Sequence, residues 1–237
     1  MPFSSGPDAT NGKPTRREQI LAAAAELFAH SGFHGVGIDD IGAAVGISGP
    51  ALYRHFRSKD AMLGEMLTSI SEFLLTGGQR TLDETPQPER ALPELVRFHV
   101  DFALDNPALI TVQERSLGNL AEPDRRRVRG MQRRYVEIWV RTIVATVPEV
   151  TEPGARAAAH AVFGLINSTP HSAYLDRDQM AALLYRMALA ALSSPGSLTD
   201  DRQTDRTAAD GTPVDRTPVE HAPADRAPVR RASAARD

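Results

Sequence analysis

From Ile20 to Ala191 the apolar residues recur at every third or fourth position, and nowhere do they alternate long enough to make a strand. That spacing suits helices buried along one face, so the fold class it implies is all-α. Short polar signals divide the run. Thr15 and Glu18 form a capping box ahead of Ile20, Ala24, Leu27 and Phe28, and Ser31 with Gly32 stops that first helix. A second helix is expected over 38–45, with Asp39 and Asp40 at its positive end and Gly46 after it. Ser48 opens a third over 49–55, where Pro50 is tolerated in the first turn. Ser58 opens a fourth, striped by Leu63, Met66, Leu67, Ile70 and Leu74, which Gly77 and Gly78 are expected to end.

The pattern stays helical after Thr85-Pro86-Gln87-Pro88, which reads as a linker. Leu92, Leu95, Val96, His99 and Ala103 share one face of a helix that ends before Pro107. A long helix is expected over 123–147, a small-residue helix from Pro153 to about Ser168, and a last one starting at Asp176 or Asp178 and ended by Pro195-Gly196. Residues 1–14 and 196–237 are poor in Leu, Ile and Phe. The second stretch repeats a five-residue unit from Thr212 with proline in each copy, which forbids a regular helix and buries too little to offset chain entropy. The expected organisation is a disordered arm over 1–14, a helix-turn-helix domain over 15–60 with a connecting helix over 58–77, a larger helical domain over 78–195, and a disordered tail over 196–237.

The 41% apolar content suits a buried core, the absence of cysteine suits a cytoplasmic chain, and neither a signal peptide nor a membrane-spanning run is expected. All but Lys13 and Lys59 of the 27 basic residues are arginine, a compositional bias that weakens arginine counts as functional evidence.

The helices over 38–45 and 49–55, joined through Gly46, Ile47 and Ser48, have the lengths of a helix-turn-helix. An ordinary helical hairpin would look much the same, but it would have little reason to carry Tyr53, Arg54 and His55 together. The residues Gly32-Phe33, Ile38 to Ser48, and above all Leu52-Tyr53-Arg54-His55-Phe56-Arg57-Ser58-Lys59-Asp60 resemble the DNA-binding domain of TetR-family regulators. The resemblance implies that the helices beyond it form an effector-binding and dimerisation domain. It also implies that Ser48, Gly49, Pro50, Ala51 and Arg54 face the major groove, with Arg54 the one long donor suited to guanine. Tyr53, His55 and Lys59 match positions that touch the sugar-phosphate backbone. The chain departs from the family pattern at Gly49 and at Asp39, where basic residues are common. Across residues 13–60, six basic side chains face five acidic ones, a weak electrostatic footprint that makes binding lean on dimerisation.

Elsewhere, His99, Tyr135 and Trp139 are amphipathic groups on apolar stripes, and with Met131 they are the expected wall of an effector pocket. The arginine-rich run 124–134 reads as a solvated helix face, and also as charge that an anionic effector such as an acyl-coenzyme A would use. Ala157, Ala161, Gly164, Leu165, Leu184, Met187 and Ala191 suggest two helices that pair with their symmetry mates. No metal motif, glycine-rich phosphate loop or catalytic constellation is recognisable; His30 and His34 are separated by the helix stop at Gly32. The expected protein is therefore a ligand-responsive transcriptional regulator, a repressor without cofactor. It would bind palindromic double-stranded DNA as a homodimer and be released by a small molecule, apolar or acyl-CoA-like. An effector-blind DNA-binding protein would keep the groove residues over a filled core, and a small helical enzyme would need a polar constellation around a cavity.

Overall fold

In a computed structural model the described residues are 13–193, apart from 148, 172 and 173, so the expected tail and all but the last two residues of the arm lie outside them. The described secondary structure is helical throughout: α1 (Arg16–Ser31), α2 (Ile38–Ala44), α3 (Gly49–Leu52), α4 (Lys59–Glu84), α5 (Pro88–Asp105), α6 (Pro107–Ser116), α7 (Glu122–Thr146), α8 (Glu152–Ile166) and α9 (Arg177–Ser193).

The sequence signals start these helices for the reasons expected. Thr15 Oγ1 accepts the Glu18 amide at 3.3 Å, while Glu18 Oε2 accepts the Thr15 amide at 2.7 Å. Ser48 and Ser58 cap α3 and α4 through the amides of Ala51 and Ala61. Between α2 and α3, Gly46 takes the left-handed φ of 69° that reverses the chain. The Ile47 amide donates back to the Gly42 carbonyl at 2.9 Å, and a β-carbon on Gly42 would lie 2.7 Å from the Ile47 carbonyl, so a side chain at 42 would force this turn to shift. Ile20, Ala24 and Phe28 of α1, Ile41 of α2, Leu52 of α3, Phe56, and Met62, Leu63 and Met66 of α4 are all buried in one core that fixes the tilt of α3.

Two helix ends differ from the sequence reading. α3 is regular only to Leu52; the His55 and Phe56 amides both bond to the Leu52 carbonyl, so Tyr53, Arg54 and His55 are presented on a tight turn. α4 does not end at Gly77-Gly78 but runs on to Glu84. A β-carbon on Gly77 would lie 2.1 Å from Phe98 Cζ, and one on Gly78 would lie 2.7 Å from Tyr135 Cε2. The pair costs about 2 kcal/mol of helix propensity, which is offset because α5 and α7 lay aromatic rings directly on the α4 backbone. α4 thereby belongs both to the N-terminal helices and to the larger layer in which α4, α5, α7, α8 and α9 pack in succession; α1 also rests on α6.

Candidate nucleic-acid interface and ligand cavity

The outer edge of the α2–α3 unit carries Ser48, Pro50, Tyr53 and Arg54, all exposed, while Ala51 and His55 are half-buried. Tyr53 is a large aromatic side chain left 55% exposed, and Arg54 makes no ion pair among the described residues. The turn beneath them is held from inside. The Arg17 guanidinium donates to the His55 carbonyl, pairs with Glu65 on α4, and lies 4.0 Å from the Phe56 ring centre. Rigid presentation of exposed polar groups on a short helix end is what reading a groove requires.

Two of the expected contacts sit differently. Gly49 is buried rather than groove-facing: the Asp39 carboxylate occupies the space where its side chain would stand. Lys59 is turned inward. Its ammonium donates to the carbonyls of Phe33 at 2.8 Å and Val36 at 2.7 Å, and stands 4.6 Å from the Phe33 ring centre. Two of its three donors thus tie α4 to the loop between α1 and α2.

In the larger layer, a cavity of about 260 Å³ lies among α4, α5, α6, α7 and α8. Its wall includes Ser71 and Leu74, His99, Gln113, Gln132 and Tyr135, His160 and Phe163 on α8, and Asn167 just after it. His99 is buried and bonded on both ring nitrogens, to Tyr135 Oη at 3.2 Å and Asn167 Oδ1 at 3.2 Å. An amide oxygen carries no proton, so Nε2–H donates to Asn167 and Nδ1 accepts from the Tyr135 hydroxyl. Burial holds the His99 pKa down at about 4, with the Asn167 bond acting in the opposite direction, and burial pushes the Tyr135 phenol up. Both groups are therefore neutral near pH 7, and the inner wall is uncharged but rich in hydrogen-bonding groups.

Of the expected pocket residues, His99 and Tyr135 line this cavity, whereas Met131 and Trp139 do not. Both belong to the hydrophobic core; Trp139 is fully buried, its ring edge-on to Phe163 at 4.9 Å. In the arginine run, Arg125 and Arg126 pair with Glu122, and Arg127 with Glu72 at 2.5 Å. Arg129, Arg133 and Arg134 are exposed without an ion pair among the described residues. Gln132, Tyr135 and Val136 bring one face of α7 to the cavity, and Arg129 lies on that face one turn before Gln132.

On α8 and α9, Ala157, Ala161, Gly164, Met187 and Ala191 are exposed and Leu165 is half-buried. Leu184 is the exception among the expected interface residues: only 2% exposed, it packs into the chain's own core. Among the described residues there is no cluster of metal-ligating side chains, and no helix is long and apolar enough to cross a membrane.

Two family models match: the bacterial regulatory proteins of the tetR family over residues 20–66, and a tetracyclin repressor-like C-terminal domain over residues 85–171. The HTH-type transcriptional activator FasR of Mycolicibacterium smegmatis is 36% identical over 87 residues, 37% of this chain and 40% of that protein. The HTH-type transcriptional repressor KstR2 of the same organism is 28% identical over 137 residues, 56% of this chain and 66% of that protein. The chain thus aligns with less than two thirds of the length of these curated relatives. A TetR-family transcriptional regulator from Bordetella parapertussis shares the fold with a TM-score of 0.69 at 24% identity, over 79% of this chain and all of that one. So does AibR, solved with isovaleryl coenzyme A and operator DNA, with a TM-score of 0.61 at 16% identity over 73% of this chain and 97% of that one.

Proposed function

The chain belongs to the TetR family of bacterial regulatory proteins, not to a family of enzymes, and from that premise we propose that it is a ligand-responsive transcriptional repressor. It binds palindromic operator DNA as a homodimer through Ser48, Pro50, Ala51, Tyr53, Arg54 and His55, and a small molecule in the α4–α8 cavity releases it. The observation that carries the reading is the α2–α3 edge itself, an exposed Arg54 and Tyr53 on a turn locked by a buried core and by Arg17. The repressor sense follows KstR2, the relative with the longer of the two alignments.

The cavity supports the ligand-responsive reading over an effector-blind one, because buried hydrogen-bonding groups, His99 and Tyr135, stand at its wall. Its volume lies just below the roughly 300–1,000 Å³ of ordinary small-molecule sites. The ligand this reading favours is a short acyl group, its thioester carbonyl at the uncharged hydrogen-bonding wall and its anionic coenzyme outside, near Arg129. Both sites act on α4, which lines the cavity through Ser71 and Leu74 and holds Arg17 through Glu65. The ligand must favour the arrangement that cannot bind DNA, since only differential affinity shifts such an equilibrium.

The test selects duplexes from a randomised pool with the full chain, then titrates the selected complex with isovaleryl coenzyme A. Enrichment of a palindrome that the thioester releases, while coenzyme A alone does not, is the expected result. Enrichment of no sequence would sink the DNA-binding half; a palindrome that no acyl thioester releases would sink the effector half.

A further inference from the structure

Two acidic residues open α2, and they differ in what they do. Asp40 Oδ2 accepts the Gly37 amide at 2.7 Å, a capping bond that closes the first turn. The Asp39 side chain is exposed and makes neither a hydrogen bond nor an ion pair among the described residues. Its carboxylate lies against the first residue of α3: a β-carbon on Gly49 would stand 2.1 Å from Asp39 Oδ1. Gly49 is thus the residue that makes room for the acid, and the carboxylate sits beside Ser48 and Pro50 at the end of the helix that enters the groove in a helix-turn-helix.

An ionised carboxylate there has two acceptor oxygens and no donor, and DNA phosphates repel it. A favourable direct contact open to such a group at a groove is to receive a base amine. The major groove offers two, adenine N6 and cytosine N4. Adenine N6 stands beside the N7 acceptor, whose lone pair faces a carboxylate unfavourably, whereas cytosine presents no acceptor on that edge. We propose that Asp39 is a base-reading residue, its carboxylate accepting from the N4 amine of one cytosine in each operator half-site. Asp39 and Arg54 then read two separate base pairs, one through an acceptor and one through donors. This explains how the interface works with so little net positive charge: the unpaired acid contributes sequence preference rather than affinity.

The inference rests on the DNA-binding reading, and its test separates the two. The full chain, Asp39→Ala and Asp39→Asn are each put through selection from a randomised duplex pool, followed by binding measurements on the wild-type consensus and its single-base variants. Neither substitution removes a bond within the chain, and thermal unfolding checks that the fold is intact. The wild type should enrich a cytosine at one position per half-site, and changing that base should weaken its binding by about 5- to 150-fold. Asp39→Ala should lose the preference at that position alone. Asp39→Asn, with an amide suited to adenine N6 and N7, should move it from cytosine to adenine. If both variants keep every wild-type base preference and merely bind all duplexes more tightly, Asp39 is only a repulsive charge and the proposal falls. If the wild type enriches nothing, the DNA-binding reading fails before any variant is compared.

Discussion

Arg54 and Lys59 stand five positions apart and are both cationic, yet their surroundings give them opposite duties. Arg54 is exposed and has no ion pair among the described residues, so Arg54→Ala should cost about 1–3 kcal/mol at one base position of the operator and relax preference there; unchanged selectivity in a shift assay would reject the assignment. Lys59 holds the Phe33 and Val36 carbonyls. Lys59→Met should therefore lower unfolding free energy by about 2–3 kcal/mol in denaturant titration. Any accompanying loss of DNA affinity should leave the salt dependence unchanged, whereas loss of a phosphate contact would reduce its slope by about one. His99 adds a pH dependence. The unfolded chain takes up a proton near the ordinary value of 6.5, while the folded chain refuses it until about 4. Stability attributable to His99 is therefore present above pH 6.5 and lost as pH falls toward 4, on the order of 3 kcal/mol across that window. His99→Gln should flatten the stability profile between those pH values; an identical profile in both proteins would show that His99 is not buried neutral.

At the scale of elements, the starts of α1 to α4 were legible because capping is local chemistry: a hydroxyl or carboxylate reaches an amide three residues away. The ends of α3 and α4 were not. Gly77-Gly78 reads as a stop when only backbone propensity is weighed, and the rings that hold α4 together there, Phe98 and Tyr135, come from other helices. The candidate site divides in the same way. His99 and Tyr135 stand out as polar groups on apolar stripes. Met131 and Trp139 share their stripe, and a small rotation of α7, which spacing does not specify, sends them into the core. Gln113, Gln132 and His160 look like surface residues until tertiary packing turns them to the cavity. The glycines give a test of this account. Gly78→Ala should destabilise despite the better helix former, and more than Gly77→Ala, because Tyr135 is buried and tied to His99 whereas Phe98 is only half-buried. Gly130→Ala meets nothing within 4 Å and should raise stability by about 0.5–1 kcal/mol. Thermal unfolding of the three variants decides it, and a stabilising Gly78→Ala would remove the close-packing argument.

At the scale of the whole molecule, the weak charge of the N-terminal helices makes the proposed DNA binding depend on a second copy of the chain. A palindrome read by a twofold dimer gives each half-site the effective concentration of the other, on the order of 10²–10⁴ in affinity without a new contact. The surface we propose for pairing is the outer face of α8 and α9. Ala157, Ala161 and Gly164 are exposed one turn apart on α8 and leave a smooth strip against which a partner helix can lie close. Met187, 46% exposed on α9, is the large apolar side chain beside it, while Leu184 holds α9 to its own core. In the proposed dimer these helices and their symmetry mates would form a four-helix interface. Ala161→Glu with Met187→Glu places charge on the strip without touching the chain's interior, so helicity should be kept while the dimer separates. Sedimentation at micromolar concentration should show a dimer for the wild type and a monomer for the double variant. The variant's affinity for the full palindrome should fall to that for a single half-site. A wild-type monomer, or a double variant that still binds the palindrome as tightly as the parent, would place the interface elsewhere on the molecule or abolish it.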